Sequence, residues 1–184
     1  MSDASLAPQA AGAQEIQMKE MQINKAVLTG YFPGVLGKIT ELHAVYYHEH
    51  WGFDISFETQ VGMELCEFMR RVRPESDGFW TALVNGRFAG SIAIDGSQAH
   101  DEGARLRWFI VEPSLQGCGV GGTLIQTAIE FCRNARHKKV FLWTFKGLDS
   151  ARYLYERQGF RLTEEHDVEQ WGTNIREQKF VLTL

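Results

Sequence analysis

The spacing of apolar positions changes several times along the chain, and each change marks an element. Across residues 35–51, Ile39, Leu42, His43 and Tyr46 recur at helical spacing, and across 56–72 Val61, Leu65, Phe68 and Val72 do the same. These two stretches predict helices joined by Gly52-Phe53-Asp54, with Ser56 and Gln60 as an approximate start signal for the second. Ahead of them, Ile23, Ala26 and Val27 lead to Leu28-Thr29-Gly30 and the turn Phe32-Pro33-Gly34, which reads as a short strand. Residues 79–84 and 88–94 flank Asn85-Gly86, the strongest short-range signal for a hairpin.

Beyond a polar loop, residues 106–111 (Leu-Arg-Trp-Phe-Ile-Val) predict a buried strand stopped by Glu112-Pro113. Residues 121–136 place Leu124, Ile125, Ala128, Ile129 and Cys132 on one helical face, and residues 140–144 form a further strand. A strand-loop-helix-strand run of this kind requires a parallel pair with a right-handed crossover. A last helix over about 149–158, ended by Gly159, and strands over about 160–166 and 174–182 complete the order, giving seven strands and four helices. Residues 1–20, rich in Ala, Gln and Ser, are expected to be a flexible tail, and residues 21–184 one domain.

Composition narrows the function classes. Nineteen basic against twenty-three acidic residues give a net charge of −4, which argues against nucleic acid or an anionic membrane as a partner. Cys66, Cys118 and Cys132 have neither disulfide-framework nor zinc-site spacing. No apolar run is long enough for a membrane span and no basic-then-apolar leader opens the chain, so a cytoplasmic location is expected. Eighteen glycines are a mild excess, and Gly117, Gly119, Gly121 and Gly122 concentrate it just after the 106–111 strand.

Glycines between a strand and a helix let a ligand approach the backbone and expose the unpaired N–H groups of the helix start, which suits a phosphate. Gly117, Gly119 and Gly122 satisfy G-x-G-x-x-G, but five residues separate them from the strand and the following strand ends Thr144-Phe145-Lys146 without the ribose-binding carboxylate of a dinucleotide site. Gly122-Thr123 lacks the Lys of a nucleoside triphosphate loop. A glycine-rich connection without a ligand stays open as the plain structural reading.

A family resemblance adds to this. Residues 106–113 followed by Gln116-x-x-Gly119-x-Gly121 resemble the acetyl-coenzyme A motif of the GNAT N-acetyltransferases, and Ala151-x-x-x-Tyr155-x-x-x-Gly159-Phe160 resembles that family's later helix. The resemblance implies a mixed, mostly antiparallel α/β sheet with flanking helices and a central parallel β-α-β coenzyme A site. It implies that the N–H groups of Gln116, Gly117, Cys118, Gly119, Val120, Gly121 and Gly122 hold the pyrophosphate. The backbone of Phe109, Ile110 and Val111 would pair with the pantetheine arm, with the Val111 N–H facing the thioester oxygen, and Tyr155 would protonate the departing thiolate. A narrower likeness, carried by residues 46–58, Ala104-Arg105-Leu106-Arg107 and Leu142-Trp143-Thr144, is to the acetyltransferase half of proteins that fuse a MarR-type winged helix to a GNAT domain. That winged helix is missing here, so no operator DNA binding by the chain alone is expected.

Two positions depart from the family pattern. Arg105 stands where many members carry the Glu base, and Leu148 where a coenzyme-contacting Asn is common. The base must then come from elsewhere, and Glu58 and His50 of the two-helix region are the first choices, beside His43 and His48. Helical i, i+2 spacing of His48 and His50 argues against a metal. Trp51, Phe53 and Trp171 could line an acceptor pocket, and Trp171 could instead form a homodimer contact. Cys118 offers a covalent route, but it lies in the loop, far from the thioester carbon. The expected function is direct acetyl transfer from acetyl-coenzyme A to an amine, small-molecule or peptide, in a ternary complex. A non-catalytic acetyl-coenzyme A sensor is the alternative.

Overall fold

The computed structural model describes residues 26–184, so the expected tail lies outside the described residues. The elements are β1 (Val27–Thr29), α1 (Val35–Trp51), α2 (Ile55–Arg71), β2 (Gly78–Val84), β3 (Arg87–Asp95), β4 (Ala104–Val111), α3 (Val120–Asn134), β5 (Lys139–Phe145), α4 (Asp149–Arg157), β6 (Arg161–Gln170) and β7 (Thr173–Thr183). The seven strands form one sheet in the order β1-β2-β3-β4-β5-β7-β6, antiparallel throughout except for β4 beside β5. That is the mixed α/β architecture the element order predicts.

The sheet separates two apolar cores. On one face α3 and α4 bury Leu124, Ile125, Ile129 and Tyr155 against strand residues such as Ile92, Leu106 and Leu142. On the other, α1 and α2 bury Ile39, Phe57, Leu65 and Phe68 against Ala93, Trp108 and Phe145. A sheet covered on both sides explains the near-continuous apolar runs in the central strands.

Local chemistry sets the joints. Asn85 and Gly86 both adopt positive φ (52° and 74°), as a two-residue hairpin turn requires. The N-cap of α2 is Asp54, whose carboxylate accepts from the Ser56 N–H at 2.9 Å, rather than the signal expected at Ser56 and Gln60. The last two strands run longer than their pattern shows and meet in a two-residue turn, Trp171-Gly172, with φ of 54° and 79°. β6 is an exposed, charged edge strand without a buried face to betray its length, and Trp171 is not a residue that announces a turn.

Candidate active site

Three features of β4 build the site. Its parallel pairing with β5 covers only Ala104 with Val140 and Arg105 with Phe141, after which the strands part. A register shift against β3 sets Trp108 and Phe109 together opposite Ile92, with Trp108 at φ 46°. The bulge turns Trp108 toward the α1–α2 core, while Phe109 and Val111 pack against the α3–α4 core. Beyond the bulge the Glu112 N–H donates to Ala89 O at 2.9 Å. Strand alternation therefore turns Ile110 toward β3 and leaves the N–H and C=O of Phe109 and Val111 facing the open side.

The open edge leads into the glycine loop. A 3₁₀ turn, Pro113–Leu115, is followed by Gly117 and Gly119 at φ 78° and 87°, conformations that L side chains resist. A Cβ built on Gly117, Gly119 or Gly122 would meet nothing within 4 Å, so the space beside the loop is open. No side chain caps α3, and its first i to i−4 bond is Thr123 N–H to Gly119 O at 3.0 Å, leaving the Val120, Gly121 and Gly122 amides without intrahelical partners. One part of the expected cradle changes. The Gln116 and Cys118 amides already donate to Pro113 O and Leu115 O (3.2 and 3.3 Å), whereas those of Gly117, Gly119 and the helix start have no such backbone acceptor. The Gln116 side chain instead ties loop to strand, donating from Nε2 to Val111 O at 3.2 Å. These residues fit a pyrophosphate.

Where β4 and β5 separate, a cavity of about 370 Å³ opens between the sheet, α1, α2, α4 and the β6–β7 turn. Tyr155 lines it from α4 with its ring 5.9 Å from that of Phe109, and is 5% exposed. Burial pushes its phenol well above the usual range, so Tyr155 keeps its proton at ordinary pH and its hydroxyl has a hydrogen to donate. His43 lines the cavity from α1. Its Nδ1–H donates to Ile39 O at 2.8 Å, which leaves Nε2 as the unprotonated nitrogen of the neutral ring, and burial lowers its pKa to about 4.

The structure does not bring the two preferred base candidates to this cavity. Glu58 and His50 are both exposed and neither lines it; the α2 residues that do are Phe57, Gln60 and Val61. His50 is turned back on α1 by a hydrogen bond to Tyr46 O (2.8 Å), and His48 by one to Phe53 O (2.9 Å). Glu177 is the carboxylate that sequence reasoning missed: it lines the cavity from β7, opposite Phe145, and pairs with His166 Nε2 at 3.3 Å. A polar residue alternating along a long strand gives no sequence signal for this role.

Trp171 lines the cavity, whereas Phe53 and Trp51 belong to the core behind it. Its indole donates to Gln60 Oε1 at 2.9 Å and its ring packs 4.9 Å from those of Phe53 and Phe57, so it is half-buried against α2 rather than an exposed aromatic residue. Cys118 lies in the loop, outside the cavity lining. Among the described residues no group of three or more His, Cys, Asp or Glu is placed to hold a metal ion, and no helix is long and apolar enough to cross a membrane.

Comparison with known proteins agrees with this arrangement. Residues 37–160 match the model of the acetyltransferase (GNAT) family. An uncharacterized N-acetyltransferase of Methanocaldococcus jannaschii is 28% identical over 131 residues, covering 69% of this chain and 57% of that protein, so the match spans little more than half of the relative. In fold, an acetyltransferase from Streptococcus agalactiae superposes with a TM-score of 0.70 at 23% identity, over 86% of this chain and 98% of the other. The yncA protein of Salmonella typhimurium, solved with its cofactor acetyl-CoA, superposes with a TM-score of 0.66 at 14% identity, over 86% and 94% of the two chains. With the parted strands, the glycine loop and the family match in agreement, the chain belongs to the GNAT acetyltransferase family, whose co-substrate is acetyl-coenzyme A.

Proposed function

We propose that this chain transfers acetyl from acetyl-coenzyme A to the primary amine of an acceptor by direct attack in a ternary complex. The observation that carries this reading is the open edge of β4, which runs from the cavity under Tyr155 to the free amides of Gly117, Gly119 and the start of α3. When bound, the co-substrate supplies an activated acyl thioester. The Phe109 and Val111 backbone groups that face the gap would take the pantetheine arm as an added strand, and the α3 N-terminus the pyrophosphate.

The geometry refines the expected roles. Val111 does not line the cavity, whereas Phe109 does, with its ring 5.9 Å from that of Tyr155. The Phe109 N–H, rather than that of Val111, is therefore assigned to the thioester oxygen. A preorganised donor to a developing oxyanion contributes about 2.7–4 kcal/mol to the rate. Tyr155, always protonated, donates to the departing thiolate. Glu58 and His50 lie outside the cavity, so Glu177 and the Nε2 of His43 take over the reception of the amine's proton, directly or through water. The residues 46–58 that carry the likeness to MarR-fused acetyltransferases form the end of α1 and the start of α2, beside this pocket.

Two measurements test the reading. Acetyl-coenzyme A at about 100 times its dissociation constant should add roughly 2.7 kcal/mol of stability, and adding an acceptable amine should release free thiol. Binding without thiol release on any amine would instead establish the sensor alternative.

A further inference from the structure

Two arginines of β4, Arg105 and Arg107, line the cavity, and their surroundings differ. Arg107 is fully engaged: it pairs with Glu64 and with Asp95 (3.4 Å), and its guanidinium lies 4.1 Å from the Trp108 ring centroid. Asp95 is the cross-strand neighbour of Arg105, yet its carboxylate goes to Arg71 at 2.6 Å and to Arg107. Glu177, the one carboxylate that lines the cavity, lies 3.3 Å from His166 Nε2 and forms no ion pair with Arg105. Asp95 and Glu64 are thus paired with other arginines, and Glu177 shares the cavity without reaching Arg105. Among the described residues none forms an ion pair with Arg105, which feels Glu64, Asp95 and Glu177 only at longer range.

Arg105 is half-buried in this cavity, and burial lowers its proton affinity, as expected of a cation short of partners. A guanidinium does not shed its proton at any ordinary pH, so it stays charged at a partly desolvated site with its donors open to a ligand's anion. Its backbone is fixed, because Arg105 and Phe141 form the last rung before β4 and β5 part. Its fork of donors matches a carboxylate with two parallel hydrogen bonds. The cavity is small, about 370 Å³, near the lower end for small-molecule sites. Much of the remaining lining is apolar or neutral, as in Trp143, Phe145, Ile175, Thr144 and Gln170.

We propose that the acceptor amine carries a carboxylate bound by Arg105, which makes small amino acids the substrate class; this inference rests on acetyl transfer taking place at this cavity. Arg105 then acts as a binding and specificity residue. It occupies the position that the family resemblance gives to a carboxylate base, and there it exchanges proton abstraction for anion recognition.

The test is acetyl-coenzyme A-dependent thiol release with glycine, alanine, methionine, phenylalanine and glutamate, each beside its primary amide, which keeps the amine and removes the negative charge. The wild type should favour the acids over the amides by roughly 10- to 100-fold in kcat/KM, the range for a charged hydrogen-bonded contact. Arg105→Gln should lose that preference by slowing the acids alone, with the affinity for acetyl-coenzyme A unchanged by calorimetry. Arg105→Lys, which keeps the charge without the fork, should fall between them. Amides or simple alkylamines used as readily as the acids by the wild type would overturn the inference while leaving acetyl transfer intact. Equal losses on both series in Arg105→Gln, or no release with any amino acid, would also overturn it. Failure to bind acetyl-coenzyme A would instead overturn the reading of the site beneath it.

Discussion

At the scale of single residues, burial decides what each titratable group in the cavity can do. Tyr155 keeps its proton, so Tyr155→Phe removes a donor and no base. We expect turnover to fall by roughly 10²-fold, within the range for general-acid groups, while acetyl-coenzyme A affinity stays within about twofold. Unchanged turnover would remove the role. His43 makes a separate prediction. Its folded pKa of about 4 lies below its ordinary value of 6.5. The unfolded chain therefore binds the proton first, and the contribution of His43 is complete above pH 6.5 and lost as pH falls toward 4. The loss amounts to roughly 3 kcal/mol. Urea unfolding at pH 7 and pH 4.5 should show a smaller difference in His43→Gln than in the wild type. Asp95 belongs to a lower window: burial opposes its charge, but hydrogen bonds from Arg71 and Ser97 outweigh that and hold its pKa to about 2. Its contribution is present above the ordinary carboxylate value and fades only as pH falls through 2, so the two effects separate.

At the scale of elements, the site depends on joints. The β6–β7 turn closes the cavity by docking on α2: the Asp54 N–H donates to Trp171 O at 3.0 Å, and Trp171 to Gln60. Gly172 sits at φ 79°, and a Cβ there would lie 2.7 Å from Asp54 Oδ2, the carboxylate that caps α2. Gly172→Ala should therefore cost about 1–3 kcal/mol by urea unfolding and raise the KM for the acceptor more than that for acetyl-coenzyme A. At the other end, Gly119→Ala places a side chain at φ 87° and should weaken acetyl-coenzyme A binding roughly tenfold with little change in the acceptor KM. Calorimetry and steady-state kinetics separate the two ends.

The same elements show what was legible from residues alone. Asn85-Gly86, the apolar face of α3 and the order of seven strands could be read because each leaves a periodic or turn-specific pattern. The glycine loop could be read because positive φ demands glycine at 117 and 119. The lining of the cavity could not. Whether Glu58 or Glu177 faces it depends on the rotation of α2 and the register of β7, which pairs Glu177 with Phe145. Nor does any local pattern report that Asp95 turns to Arg71 and Arg107 and leaves Arg105 without an ion-pair partner.

At the scale of the whole molecule, a net charge of −4 suggests a mild preference for cationic partners, whereas the cavity presents Arg105, which has no ion-pair partner among the described residues. The local field prevails at contact, because charges more than about 8–10 Å apart across solvent are screened at physiological salt. The fold makes this possible by splitting one sheet: one part of β4 remains paired with β5 and holds Arg105 in place, and the rest is freed for a ligand. The proposed function makes the opening between the strands a place of reaction as well as of binding. It is tested most directly by acceptor-dependent release of coenzyme A thiol by the wild type and Tyr155→Phe at equal occupancy by acetyl-coenzyme A. Release should require an amine and fall by roughly 10²-fold in the variant; release that is absent with every amine, or identical in the two proteins, would overturn that function.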